Sequence, residues 1–229
     1  MALLWGWPLN LKRAVHFFFA GLVCCWLPSV GADTLTVDVS STVGEPLDYS
    51  VVFLEPLSLS ADLVDQARPK AVIAQEQSQF IPAISVLQTG TQVEFPNLDT
   101  VRHHVYSFSE AKTFDIKLYL GRAPSSELFD RPGVVALGCN IHDAMIAWVV
   151  VVDTPYFAIA DSNGRVSMDV PAGDYRLKVW DRRQLGGTEQ ARVVTVAGAQ
   201  SLTLSVDASA FDPYTEVTGR SVGSVQARQ

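Results

Sequence analysis

The chain has 229 residues, 48% of them apolar and 18% charged, with 24 acids against 17 Lys and Arg and a formal net charge of −7. That balance disfavours nucleic acid and anionic membrane surfaces as partners. Apolar residues suffice for ordinary cores, and the length suits one large or two small domains.

Residues 1–32 read as a secretory signal. Lys12 and Arg13 end a basic region, Ala14 to Leu27 form an apolar run, and Val30-Gly31-Ala32 offers small residues for cleavage. The apolar run is short for a bilayer span, which needs about 20 apolar residues. No later run is long enough either, so the expectation is a soluble, exported or periplasmic protein with no membrane span after cleavage. Removing the segment takes Cys24, Cys25 and His16 with it, leaving Cys139 as the sole thiol and His103, His104 and His142 as the histidines. A single free thiol in an oxidising compartment is a liability unless buried or ligated.

From residue 33 the pattern is strand-like. Thr34 to Val39 alternates and Ser50 to Leu54 is β-rich, with Gly44, Pro46 and Asp48 between them. Leu57 to Lys70 reads as a connector with a weak helical flavour at Leu59 to Ala67. Strands are then expected at Ala71 to Ala74, Ala83 to Gln88, Thr91 to Phe95, His103 to Ser109, Thr113 to Leu120, Val134 to Cys139 and Ile146 to Asp153. Such spacing indicates a β-sandwich or barrel, and the unbroken apolar run Ile146 to Val152 predicts a strand covered on both faces. A second series follows at Tyr156 to Asp161, Arg165 to Val170, Tyr175 to Asp181, Ala191 to Val196 and Leu202 to Val206. Asp161-Ser162-Asn163-Gly164 predicts a hairpin turn, and Pro171 to Asp174 another turn. Met168 and Trp180 are expected as core residues. Residues 209–229, rich in Ser, Gly, Gln and Arg, predict a frayed, flexible tail.

The chemistry concentrates in Cys139-Asn140-Ile141-His142-Asp143-Ala144-Met145. A thiolate, an imidazole and a thioether at this spacing can be wrapped around one ion by a short loop. Two His and one Cys with a weak axial Met is the donor set of a blue-copper electron-transfer site, whose axial ligand tunes the potential. The second His must come from His103 or His104. Strand residues alternate in direction, so only one of the pair can reach the ion. Zinc suits Cys and two His, but a thioether is a poor zinc ligand.

Phe95-Pro96-Asn97-Leu98-Asp99 with Val101-Arg102-His103-His104-Val105, and Pro132-Gly133 leading to Cys139, His142 and Met145, resemble two segments of the cupredoxin family, the plastocyanin and amicyanin type. The resemblance covers about residues 70 to 153, and proteins of this kind often carry the label methylamine utilisation protein. It implies a Greek-key β-sandwich holding one type 1 copper ion on His103, Cys139, His142 and Met145, with His104 the alternative first ligand. His104 stands where the family has Asn and is expected to brace the Cys loop, through Asn140. Arg102 replaces a common Pro, and Val135 a frequent aromatic.

The segments Phe157 to Asp161, Asn163-Gly164-Arg165 and Pro171 to Trp180 resemble the carboxypeptidase regulatory-like, transthyretin-like β-sandwich, as do Thr36 to Leu54. The expected organisation is all-β, with a cupredoxin domain at 70–154 inserted into a discontinuous sandwich of 33–60 and 155–208. Two consecutive domains are the simpler alternative. The implied function is single-electron transfer between redox partner proteins, such as a cytochrome or dehydrogenase, with His142 as the electron port and no catalytic residue. A non-redox copper carrier or scaffold is the alternative. An enzyme using Cys139 as nucleophile and His142 as base would leave Met145 unexplained.

Overall fold

The computed structural model describes residues 32–58, 69–184, 190–209 and 211–222. The signal segment up to residue 31 and the helical flavour at Leu59 to Ala67 lie outside them. The described chain is all-β apart from one short helix, and among the described residues no helix is long and apolar enough to cross a membrane.

The strands are β1 (Ala32–Ser41), β2 (Val51–Pro56), β3 (Lys70–Val72), β4 (Ala74–Glu76), β5 (Gln79–Ile81), β6 (Ile84–Gln88), β7 (Thr91–Glu94), β8 (His103–Ser109) and β9 (Lys112–Tyr119). There follow β10 (Glu127–Phe129), β11 (Gly133–Gly138), β12 (Ile146–Val152), β13 (Phe157–Ile159), β14 (Arg165–Pro171), β15 (Gly173–Trp180), β16 (Gln190–Val196), β17 (Gln200–Val206) and helix α1 (Pro213–Thr218). The middle of the chain forms a sheet in the order β6-β12-β11-β8-β9, a smaller sheet β10-β7-β3 and the hairpin β4-β5. Ile73, Phe80, Val93, Phe95, Phe114, Phe129, Leu137 and Val149 fill the core between them.

The two ends of the chain share the remaining sheets. β1 lies between β14 (antiparallel) and β17 (parallel), and β2 lies between β13 and β15 in the order β13-β2-β15-β16. Leu35, Val37, Val52, Leu54, Val166, Leu177 and Val196 form the core between these two sheets. The turn at Asp161 forms as expected, with Asp161 Oδ1 accepting from the amides of Asn163 and Arg165 and Gly164 at φ 74°. It is not a hairpin within one sheet. β13 and β14 part into facing sheets, because Gly164 sits tight against β1, where an added Cβ would be 2.3 Å from the Val39 carbonyl.

Strand β12 is covered on both faces, as its apolar run requires. Ala147, Val149 and Val151 face the core shared with Phe95, while Val150 and Val152 join Val51, Phe53, Trp180 and Tyr214 in a third cluster. That cluster glues β2 and β15 to β6 and β12, with Trp148 at 6.3 Å from Trp180 and 6.2 Å from Tyr214 between ring centroids. Tyr214 corrects the expectation of a frayed tail from residue 209 onward. It belongs to α1, is fully buried, and one buried aromatic ring outweighs the polar composition around it. Asp212 caps the helix start and Gly219, at φ 65°, ends it.

Candidate metal centre

His103 opens β8, and the loop between β11 and β12 carries Cys139, His142 and Met145. One ligand atom from each of His103, Cys139 and His142 lies within 4.8 Å of the others. The His103 and His142 rings are 5.0 Å apart between centroids, and Cys139 Sγ is 4.0 Å from His142 Nδ1. Bond lengths of about 2.0–2.3 Å at a trigonal or tetrahedral ion place donors about 3.3–4.0 Å apart, so modest closure brings this set to metal-binding distance. Cys139 is a buried free thiol, His103 is fully buried and His142 is half-buried. Met145 is fully buried in the same apolar core as Cys139, and its amide donates to the His142 carbonyl at 2.8 Å, closing the loop.

The strand pleat separates the two neighbouring histidines. His103 Nε2 faces Asp99 Oδ2 at 2.7 Å, while its Nδ1 is buried with no hydrogen-bond partner. An orphaned buried nitrogen costs about 1–3 kcal/mol unless something occupies it, and a metal ion is the occupant that Cys139 and His142 also suit. His104 points the other way, to Asp115 and to the Tyr106 ring. It therefore does not brace the Cys loop through Asn140, which is exposed. The alternation of side chains along β8 carries it to the opposite face.

Asn97 knits the approach to His103. Its side-chain amide donates to the carbonyls of Val101 and Tyr119, both at 2.9 Å, and its Oδ1 accepts from the Asp99 amide. Asp99 in turn accepts from the amides of Gln77 and Ser78. Burial works to raise the Asp99 carboxyl, but the Ser78 amide, the His103 ring and the Gln77 amide together hold it below the usual carboxylate value. A carboxylate on the far nitrogen of an imidazole fixes the tautomer and makes the other nitrogen a better donor. Tyr119, paired with His103 across β8 and β9, donates to the Phe95 carbonyl and accepts from Gln75. Burial pushes its phenol up to about 12, opposed by the Gln75 hydrogen bond and reinforced by Cys139.

Gly138, directly before Cys139, is opposite Tyr106 in the sheet register. A Cβ built on it would lie 2.8 Å from Tyr106 Cζ and Oη, so the phenol ring lies against the glycine backbone. Asp99, Tyr119 and the Gly138–Tyr106 contact were not singled out by sequence reasoning. Only Asp99 has a local signal, lying four residues before His103 in a turn-like Asn-Leu-Asp.

No protein-family model matches the chain, and no curated protein matches it. Among solved structures, the chain resembles the copper-containing nitrite reductase of Thermus scotoductus SA-01 at 22% identity and TM-score 0.34, over 43% of this chain and 25% of that one. It resembles amicyanin from Paracoccus versutus at 18% identity and TM-score 0.33, over 43% of this chain and 97% of that one. A reduced Cu(I) form of an amicyanin mutant at pH 4 has 18% identity and TM-score 0.33, over 44% and 98%. The chain thus spans a quarter of the nitrite reductase and nearly all of amicyanin.

Proposed function

We propose that the protein is an exported carrier of single electrons that holds one type 1 copper ion on His103, Cys139, His142 and Met145. The observation that carries this reading is the convergence of two imidazoles and the one thiol among the described residues within 4.8 Å, with His103 Nδ1 buried and unpartnered. Bound there, copper would supply a one-electron Cu(I)/Cu(II) couple. Cys139 as thiolate and the two neutral imidazoles would hold the ion, with Met145 as a fourth, weaker thioether donor. Burial of Cys139 and Met145 excludes water, and Asn97 and Asp99 hold His103 so that the cage changes little between oxidation states. His142, half-buried beside exposed Ile141, is the electron port, and exposed Leu98 and Val101 lie on the loop leading to His103. Such an apolar surface suits a transient redox partner such as a cytochrome or dehydrogenase. No reaction is assigned to the chain itself, and the methylamine label implies no pathway for it.

Pairing of β1 and β2 with strands after residue 155 supports one further reading. Residues 33–60 and 155–208 are one transthyretin-like sandwich interrupted by a cupredoxin domain at 70–154.

Copper reconstitution of the purified protein, followed by its visible spectrum and a redox titration, tests the function. The expected result is an intense thiolate-to-copper band that bleaches reversibly on reduction and is absent in Cys139→Ser. A Cys139→Ser variant with the wild-type spectrum refutes the site. Copper bound colourlessly and without redox response identifies a carrier instead.

A further inference from the structure

Hydrogen bonds, linked at Ser78 through its own backbone, join helix α1 to His103. Tyr214 Oη donates to Gln79 Oε1 at 2.8 Å, and Gln79 Nε2 donates to the Ser78 carbonyl at 2.7 Å. The Ser78 amide donates to Asp99 Oδ2 at 2.9 Å, and that oxygen faces His103 Nε2 at 2.7 Å. The adjoining Gln77 amide donates to Asp99 Oδ1 at 2.7 Å. Gln77 and Ser78 both have positive φ, 54° and 55°, a region that residues with side chains adopt only when their surroundings hold them there. Outside contacts that hold this turn run to Asp99 and, through Gln79, to Tyr214, with a longer one from Arg220 Nη1 to the Gln77 carbonyl at 3.5 Å.

The far end of the run is equally fixed. Tyr214 is fully buried against Trp148, and burial pushes its phenol up to about 12, keeping it a donor. Asp212, which caps α1, accepts from Arg182 Nε at 2.8 Å and Nη2 at 2.6 Å. Arg182 and Arg183 each also donate to the Asp48 carbonyl at 2.9 Å. The helix is therefore clamped to the end of β15 and the segment before β2, and reaches from there to the hairpin β4-β5.

We propose that Tyr214 is a positioning residue for the metal centre, acting through Gln79, the Gln77–Ser78 turn and Asp99 to hold the His103 ring with Nδ1 turned toward Cys139 and His142. The role in a metal centre rests on the proposed function, whereas the relay to the His103 ring does not. Helix α1 is then a strut by which the sheets built from the two chain ends set the geometry of a site in the middle of the chain.

Tyr214→Phe removes the hydroxyl and keeps the ring. In the metal-free protein, nitrogen-15 NMR reads solvent exchange of the His103 Nε2 proton, which the variant accelerates about 2- to 10-fold, the worth of one hydrogen bond. Gln79→Met cuts the same link from its other side and reproduces the acceleration. In the copper-loaded protein, Tyr214→Phe shifts the reduction potential and the copper EPR splitting in the same direction as Asp99→Asn. The double variant goes no further than Asp99→Asn alone, because effects through one shared path are not additive. Unchanged exchange in both single variants, a fast-exchanging Nε2 proton in the wild type, or additive shifts overturn the proposal. Failure to bind copper with exchange still accelerated refutes the copper reading and leaves the strut intact.

Discussion

Replacing Gly138 with Ala tests whether the Tyr106 ring is seated on the backbone beside Cys139. The new Cβ would meet Tyr106 Cζ and Oη at 2.8 Å and Cε1 at 3.2 Å, well inside the ~3.5–4.0 Å optimum for carbon contacts. Overpacking of this kind costs about 1–3 kcal/mol. The colliding atoms are the far end of a half-buried side chain, so the ring can tilt and the cost falls in the lower part of that range. Against it, Ala in a strand interior gains about 0.5–1 kcal/mol over Gly, and Gly138 is not among the positive-φ residues, so Ala fits its backbone. The net loss in Gly138→Ala is therefore between about 0 and about 1.5 kcal/mol. The pairwise term is cleaner. With Tyr106→Ala the obstacle is gone, and Gly138→Ala becomes neutral or stabilising. Urea unfolding of the four proteins of the cycle is expected to yield a coupling of about 1–2 kcal/mol, larger than the loss in the single variant. If Gly138→Ala has the same effect with and without Tyr106, the ring does not rest on that glycine.

Two further predictions concern the clamp around α1. Arg182, whose side chain is 2% exposed, bridges Asp48 and Asp212. Arg182→Met strips a counter-charge from two partly buried carboxylates and costs about 3 kcal/mol, the low end for a broken buried ion pair because the partners keep some contact with water. A urea midpoint within error of the wild type contradicts this. The second concerns acid. Burial works to raise Asp181 and Asp212, but Arg183 and Ser50 hold Asp181, and Arg182 holds Asp212, below the ordinary carboxylate value. Carboxylates depressed in the folded state bind fewer protons there than in the unfolded chain, so their stabilisation is full above the unfolded value of about 3.9 and is lost as pH falls through the folded values. The urea midpoint is expected to be flat near neutrality and to fall below about pH 4, less steeply in Arg182→Met. An equal acid slope in that variant removes Asp212 from the explanation.

Most strands were legible because their signals are local. The alternation from Thr34 to Val39, the β-rich Ser50 to Leu54 and the unbroken Ile146 to Val152 each state a period or a two-sided burial that the structure honours. β5 and β10, three residues each, carry no period to read, and α1 depends on a single buried Tyr214 in a polar stretch. At the site, seven consecutive residues displayed Cys139, His142 and Met145, and strand alternation divided His103 from His104. The support around them was hidden. Asp99 matters because its carboxylate meets turn amides from residues 77 and 78, and Gly138 because a tyrosine from the neighbouring strand lies on it.

By itself, then, the sequence determined the all-β class and the gathering of Cys139, His142 and Met145 in one short loop, since both rest on residue type and spacing within a few positions. The tertiary structure decided what depends on contacts between distant residues. It brought His103 to Cys139 across the sheet, turned His104 to Asp115, and ran a hydrogen-bonded path from Tyr214 to His103. Such contacts arise from register and packing, and no local pattern in the chain encodes the partner that a side chain will meet on another element.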